Sequence, residues 1–177
     1  MKDKTTTPYV VANAPVVDGP LPGTTAWAER AIAISNRSLW NNGTYVKRDM
    51  RGKPGIISNH ARGLAMDLSY RHVITGGTAK GLEHGRQIAL AAIKQLVARF
   101  DILGLQLVID YHAPANGPQQ ARIWKCDRNA WRPQPPGSIH GVPGDWFHLE
   151  ITPTMAADPA RVAAAFRKAF PPPSTTV

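Results

Sequence analysis

The chain has 177 residues, of which 43% are hydrophobic, so it is long enough for one domain with a packed core and too short for two. Its 21 Lys and Arg residues outweigh 12 Asp and Glu residues, and the formal net charge of +9 favours either a polyanionic partner or simply a basic solvated surface. The basic residues are scattered, and neither a zinc-finger spacing nor an aromatic RNA-binding motif is present, so we expect no nucleic-acid partner.

The N-terminal residues 1–23 are rich in Thr, Pro and Gly, which predicts an irregular lead-in. They lack the apolar core of a secretory signal, and no run approaches transmembrane length, so we expect synthesis in the cytoplasm without a signal peptide. Cys126 is the only cysteine, which excludes an intramolecular disulfide. Its strand-like neighbours favour a buried thiol over a nucleophile.

A first helix is predicted from Thr24 or Thr25 to about Trp40, because apolar residues recur there at helical spacing. Trp27 and Trp40 are either substrate-binding aromatics or core residues, and a core role is favoured for both. A turn at residues 41–43 and a short strand at residues 44–46 are expected to follow and to lead to Arg48.

A histidine and an aspartate then occur seven residues apart, as His60 and Asp67, with Gly63 between them. Apolar and small or polar residues alternate from Leu64 to Ser69, which predicts a strand with Asp67 near its centre. A turn at Gly63 can bring the two side chains together, since glycine adopts backbone conformations closed to other residues. Imidazole and carboxylate groups are both good zinc ligands, but two ligands do not make a site.

The middle of the chain predicts a long helix from about Gly81 to Phe100 and two strands, residues 105–111 and 121–126, that form an antiparallel pair. His72 and His84 have no partner at metal spacing and are expected to be ordinary surface or core histidines. The proline-rich stretch from Asp127 to Gly144 predicts irregular structure.

A third metal ligand is available in the strand predicted after Gly144. In an extended chain Trp146, His148 and Glu150 face one side, and the apolar residues between them face the other. Asp145 lies three residues before His148, where the strand begins. Three protein ligands with an open position are typical of a catalytic zinc site rather than a structural one. A last helix is capped by Asp158 and runs to Phe170.

The pattern Ser-x-His-x-x-Gly-x-Ala-x-Asp, followed by acid-x-x-His, resembles the zinc D,D-carboxypeptidase and L-alanyl-D-glutamate endopeptidase family. That family belongs to a larger group with lysostaphin-type peptidases and the hedgehog signalling domain. Every fixed position of the first pattern is present, as Ser58, His60, Gly63, Ala65 and Asp67. The second pattern is present as Asp145 to His148, where the family often has Glu and some similar phage endolysins have Asp. The resemblance covers about residues 45–151.

The resemblance implies that His60, Asp67 and His148 bind one Zn²⁺ per chain and that Asp145 is the general base. It also implies an upstream arginine that stabilises the carbonyl oxygen of the substrate. Arg48 is the best match for this arginine, and Arg51 is the alternative.

Four further side chains are expected at or near the site. Ser58 is expected to orient the motif loop through a hydrogen bond, and Glu150 either holds His148 from behind or is an exposed strand carboxylate. Trp131 and His140 lie either at the rim of the cleft or in ordinary loop packing.

These expectations combine into an α+β fold in which a small antiparallel sheet carries the zinc site and helices flank it. Residues 24–170 form a single zinc peptidase domain, and residues 171–177 form a proline-rich tail. The expected function is hydrolysis of bacterial peptidoglycan by a monomeric phage endolysin or virion-associated lysin, acting on the wall with a holin or after injection. The alternative is a catalytically weak, zinc-containing wall-binding module, and Asp145 argues for the enzyme.

Overall fold

A six-stranded antiparallel sheet is the centre of the computed structural model, which describes residues 5–70, 79–112, 121–134 and 144–172. In spatial order its strands are β1 (Trp40–Gly43), β4 (Ala65–Ser69), β8 (Trp146–Ile151), β5 (Leu105–Asp110), β6 (Arg122–Lys125) and β7 (Ala130–Pro133). A separate hairpin is made by β2 (Asp49–Met50) and β3 (Lys53–Ile57). The helices of these ranges are α1 (Pro22–Ile34), α2 (Ala79–Val97), α3 (Phe100–Leu103), α4 (Pro153–Ala157) and α5 (Pro159–Ala169). The predicted α+β class is confirmed.

The two faces of the sheet differ because strand β8 alternates apolar and polar side chains. Phe147, Leu149 and Ile151 are fully buried and belong to one core cluster with Trp27 of α1 and Phe166 of α5. The residues between them, His148 and Glu150, point to the opposite face, which is therefore available for a functional site. This facing is the one that the sequence predicts. Among the described residues, we find no helix that is both long and apolar enough to cross a bilayer.

The N-terminal segment, residues 5–21, contains one 3-10 turn (Val11–Asn13) before α1 begins at Pro22. It is nevertheless docked on the domain. The backbone N–H of Thr7 donates to the carbonyl of Cys126, and that of Val17 donates to the carbonyl of Ala61. Val11 is fully buried in the core. The segment is therefore part of the domain's packing.

The first helix is shorter than the prediction, because α1 ends at Ile34. Asn36 and Arg37 have φ angles of 52° and 58°, a left-handed conformation that a right-handed helix cannot continue through. Trp40 therefore begins the edge strand β1 and is 42% exposed, so its predicted core position is wrong.

Trp27 is buried, and its indole N–H donates to the carbonyl of Leu103. The edge strand β1 occupies Trp40–Gly43. The turn predicted at residues 41–43 is therefore part of a strand, and the strand predicted at residues 44–46 is not formed there.

The prediction of irregular structure throughout the proline-rich stretch is also wrong, because strand β7 lies within it. Pro133 is the last residue of this strand, and β7 is at the edge of the sheet, where a proline's missing N–H is tolerated. The antiparallel pairing of β5 with β6 is confirmed. The cap of α5 is confirmed as well, since the carboxylate of Asp158 accepts from the N–H groups of Ala160 and Arg161.

Candidate metal centre

Two neighbouring strands and one turn bring the predicted ligands together. Strands β4 and β8 pair in a register that sets Asp67 directly opposite His148. His60 comes from the turn before β4, in which its backbone N–H donates to the hydroxyl of Ser58 at 3.3 Å. Gly63 closes this turn with a φ of 68°, and its carbonyl accepts from the hydroxyl of Thr24 on α1. The turn is therefore fixed from within and by the first helix.

One atom of each ligand points to a common centre. Nδ1 of His148 lies 3.0 Å from Oδ1 of Asp67 and 3.2 Å from Nε2 of His60, and Nε2 of His60 lies 3.4 Å from the same Oδ1. Ligands bound to zinc at about 2.0–2.1 Å in a tetrahedron lie about 3.3 Å apart. The three donor atoms are therefore spaced as a metal ion would require, and these residues form a possible metal-binding triad.

The same proximity shifts the pKa values of the ligands when no metal is bound. Burial alone would lower the pKa of His148, but hydrogen bonds to Asp67 and Glu150 outweigh it and raise that pKa to about 10. Burial would raise the pKa of Asp67, yet the hydrogen bonds with His148 and His60 hold it well below its ordinary value. When no metal is bound, the imidazole of His148 is therefore in its protonated, cationic form at neutral pH. A metal ion that binds must displace a proton from the ring.

Glu150 supports His148 from behind. Its Oε1 lies 3.1 Å from Nε2 of His148, the ring nitrogen that points away from the other ligands. The amide of Asn59 donates to the same oxygen at 2.7 Å, and the hydroxyl of Tyr9 donates to Oε2 at 2.5 Å. Glu150 is only 5% exposed, so the reading of it as an exposed strand carboxylate is wrong. A carboxylate in this position fixes the orientation and tautomer of a ligating imidazole.

The triad opens into a cavity of about 620 Å³ between the sheet and the β2–β3 hairpin. Arg48 and Arg51 both line it, so the geometry leaves the choice between the two predicted arginines open. Two further cations of the lining are Lys53 and Arg62. In the described part of the chain the carboxylates of the lining are those of Asp67 and Glu150. These four cations outnumber the two carboxylates, so the described lining is basic.

Aromatic side chains form the end of the cavity nearest to the start of β8. Tyr111 stacks on Trp146 with 5.0 Å between ring centroids, and both line the cavity. Burial raises the pKa of Tyr111 to about 12, with contributions from the charges of Asp67 and Glu150, while the arginines oppose it. The phenol therefore keeps its proton at neutral pH and can donate a hydrogen bond.

Asp145, the predicted general base, is not part of the described lining of the cavity. Its Oδ1 lies 3.4 Å from the hydroxyl of Ser69, and its carbonyl accepts from the N–H of Tyr70. Ser69 is two residues beyond Asp67 on the same strand, so the two side chains share a face. The carboxylate of Asp145 thus contacts one residue of the ligand-bearing face, and its charge also acts on Tyr70, whose ring packs on the core residue Phe147.

Of the two residues predicted at the rim of the cleft, Trp131 is described by the structure and His140 is not. Trp131 lies on β7, partly buried, with the guanidinium of Arg122 stacked over its ring at 4.6 Å. It is not part of the described cavity lining. His140 and His72 lie outside the described residues.

Comparisons with protein families, curated proteins and solved structures give no match to this chain. Two imidazoles and one carboxylate suit Zn²⁺, and the same set with open positions is also used for Fe²⁺. The open cavity above the triad is typical of a site where a substrate reaches the metal.

Three residues of the site were not predicted from the sequence: Tyr9, Asn59 and Tyr111. Asn59 immediately precedes His60, so its position in the motif was an available signal. Tyr111 could be placed by alternation from Ile109 once the register of β5 with β8 is known. Tyr9 is 141 residues from its partner Glu150, and no local pattern indicates that contact.

Proposed function

We propose that this protein is a zinc peptidase that hydrolyses peptide bonds of bacterial peptidoglycan, as a phage lysis enzyme or a virion-associated hydrolase. The observation that carries the proposal is the triad of His60, Asp67 and His148, whose donor atoms converge beneath an open cavity. A closed structural site would use a fourth protein ligand, and the described residues supply three.

His60, Asp67 and His148 would hold the metal, and Glu150 would keep the ring of His148 in place. Zinc in such a site supplies a Lewis acid for the substrate carbonyl and lowers the pKa of water. Asp145, three residues before His148 in the sequence, is the proposed general base, which takes a proton from the attacking water and returns it to the leaving amine. This step needs a carboxylate that is not itself a ligand, and Asp145 is outside the triad.

Donors of the cavity lining would stabilise the charge that develops on the carbonyl oxygen. Arg48 is our first choice for this role and Arg51 the second, since both line the cavity. The protonated phenol of Tyr111 is an additional neutral donor at the aromatic end. Removing one such donor typically costs about 10²–10³-fold in rate. The basic lining also suits the carboxylates of peptidoglycan stem peptides.

The test is digestion of purified peptidoglycan, followed by analysis of the released fragments and by measurement of bound metal. We expect the zinc-loaded protein to release new peptide termini, and both the chelator-treated protein and His148→Ala to release none. His84→Ala is the matched control, because His84 is an exposed histidine outside the triad. Zinc-loaded protein that binds the wall without cutting it would show a binding module, and bound iron instead of zinc would contradict the metal assignment.

A further inference from the structure

The N-terminal segment reaches the metal centre through the side chain of Tyr9. Tyr9 is half-buried, lines the cavity, and donates its hydroxyl hydrogen to Oε2 of Glu150. The amide of Asn59 lies 3.3 Å from the same hydroxyl, and the ammonium of Lys125 lies 3.8 Å from the centroid of the ring. The side chain is therefore held at its ring and at its hydroxyl.

Glu150 connects this tyrosine to a metal ligand. One carboxylate oxygen is engaged by Tyr9, and the other is shared by Asn59 and Nε2 of His148. A carboxylate held at one oxygen alone can rotate about its terminal torsion, which is broad. With both oxygens held, its plane is fixed. Glu150 then keeps Nε2 of His148 protonated and leaves Nδ1, which faces Asp67 and His60, for the metal.

We propose that Tyr9 is a positioning residue of the metal centre, whose hydroxyl fixes Glu150 and thereby the imidazole of His148. This inference rests on the metal site of the proposed function, and it adds the N-terminal segment to the parts that determine metal affinity. Outer partners of a ligating histidine typically change metal affinity by about 10–100-fold.

The experiment measures zinc affinity by competition with a chromophoric chelator, with no substrate present. Tyr9→Phe removes the hydroxyl and keeps the ring over Lys125, and we expect its zinc affinity to fall about tenfold, the lower end of that range. Tyr45→Phe is the matched control. It removes a hydroxyl that donates to the carbonyl of Val17, so it also loosens the N-terminal segment but touches no group of the metal centre.

A double-mutant cycle separates positioning from general loosening of the fold. Glu150→Gln should weaken zinc binding by about 10–100-fold, and Tyr9→Phe should add little in that background if it acts through Glu150. Circular dichroism of the metal-free proteins checks that each variant is folded.

Each outcome bears on one proposal or on both. Wild-type zinc affinity in Tyr9→Phe, an equal loss in Tyr45→Phe, or full additivity with Glu150→Gln would overturn the positioning role. Zinc binding without cleavage of peptidoglycan would overturn the peptidase and leave this role intact. Failure of the wild-type protein to bind zinc at all would overturn both.

Discussion

His148 has both ring nitrogens within hydrogen-bond distance of carboxylates, Nδ1 with Asp67 and Nε2 with Glu150. Nδ1 is therefore directed to the metal site, and Nε2 is directed to the supporting carboxylate. Protonation and metal binding therefore compete for Nδ1 of His148, because a proton on this atom blocks the position of the metal.

The first prediction concerns the stability of the metal-free protein as a function of pH. The pKa of His148 is raised by its carboxylate partners from 6.5 to about 10, against the effect of burial. A raised folded-state pKa stabilises the fold fully below about pH 6.5, and this contribution is lost as the pH rises towards 10. We expect the free energy of unfolding of chelator-treated protein, measured by urea titration, to decrease across that interval.

His148→Ala is the control for this pH dependence, because it removes the group whose pKa is raised and leaves the titrating groups that His148 does not contact unchanged. The decrease should be smaller in the variant than in the wild-type protein. Identical pH profiles for the two proteins would contradict the predicted contribution of His148.

The second prediction concerns Asp145, whose carboxylate lies 3.4 Å from the hydroxyl of Ser69. Asp145→Asn keeps the size of the side chain and removes the proton acceptor, so the cleavage rate should fall about 10²–10⁴-fold. Zinc content should stay at one equivalent, because Asp145 is not part of the triad. The measurement is the rate of release of peptide termini from peptidoglycan by zinc-loaded protein.

Asp145→Glu supplies the comparison, since it keeps a carboxylate and should retain measurable activity. If Asp145 were only a turn residue before Trp146, Asp145→Asn would be nearly silent. A zinc-loaded Asp145→Asn protein that cleaves at the wild-type rate would remove Asp145 from the mechanism.

At the scale of elements, the turn from Ser58 to Gly63 and the pairing of β4 with β8 together build the triad. Three backbone hydrogen bonds within the turn hold it: Ala61 to Ser58, Arg62 to Asn59 and Gly63 to His60. The strand pairing then sets Asp67 and His148 opposite each other. A change in this turn is therefore expected to alter both stability and metal binding.

The third prediction is that Gly63→Ala is strongly destabilising. Its φ of 68° costs another residue about 1–2 kcal/mol, and a Cβ would lie 2.6 Å from Cγ of Leu21, so crowding adds about 1–3 kcal/mol. Thermal unfolding of the metal-free variant measures the loss, and the zinc affinity should fall with it because the turn carries His60.

Gly55→Ala is the matched control in the β2–β3 hairpin. Gly55 has a φ of 80°, but no atom of the described residues lies within 4 Å of the position of its Cβ, so only the backbone cost of about 1–2 kcal/mol applies. Equal losses in the two variants would show that contact with Leu21 contributes nothing at Gly63.

At the scale of the whole molecule, one metal ion would link parts of the chain that are far apart in sequence. The triad joins the turn before β4 to strand β8, and Glu150 extends the connection to the N-terminal segment. An ion bound only by the folded state stabilises it by mass action.

The fourth prediction is a zinc-dependent rise in melting temperature. Zinc at a hundred times its dissociation constant stabilises the fold by about 2.7 kcal/mol, which for a chain of this size corresponds to about 5–10 °C. Differential scanning calorimetry of chelator-treated protein with and without added zinc measures it. His148→Ala should show little shift, and an equal shift in that variant would place the zinc elsewhere.

The sequence by itself determined those features that depend on a few neighbouring residues. The alternation of β8 sorted Phe147 and Leu149 to the core and His148 to the opposite face, and the cap of Asp158 defined the start of α5. The end of α1 was misjudged, because apolar spacing continues past Asn36 and Arg37 while their backbone does not. The spacing of apolar residues indicates which face of a segment is buried, but it does not indicate that a residue adopts a left-handed φ.

Only the tertiary structure decided which distant residues complete the site. The register that pairs Asp67 with His148 depends on the assembled sheet, and the same register brings Ile109 and hence Tyr111 to the cavity. Tyr9 reaches Glu150 only because the N-terminal segment is docked across strands formed by the rest of the chain. Local patterns arise from interactions over a few residues, whereas a contact across 141 residues depends on the packing of the whole domain, which no short stretch encodes.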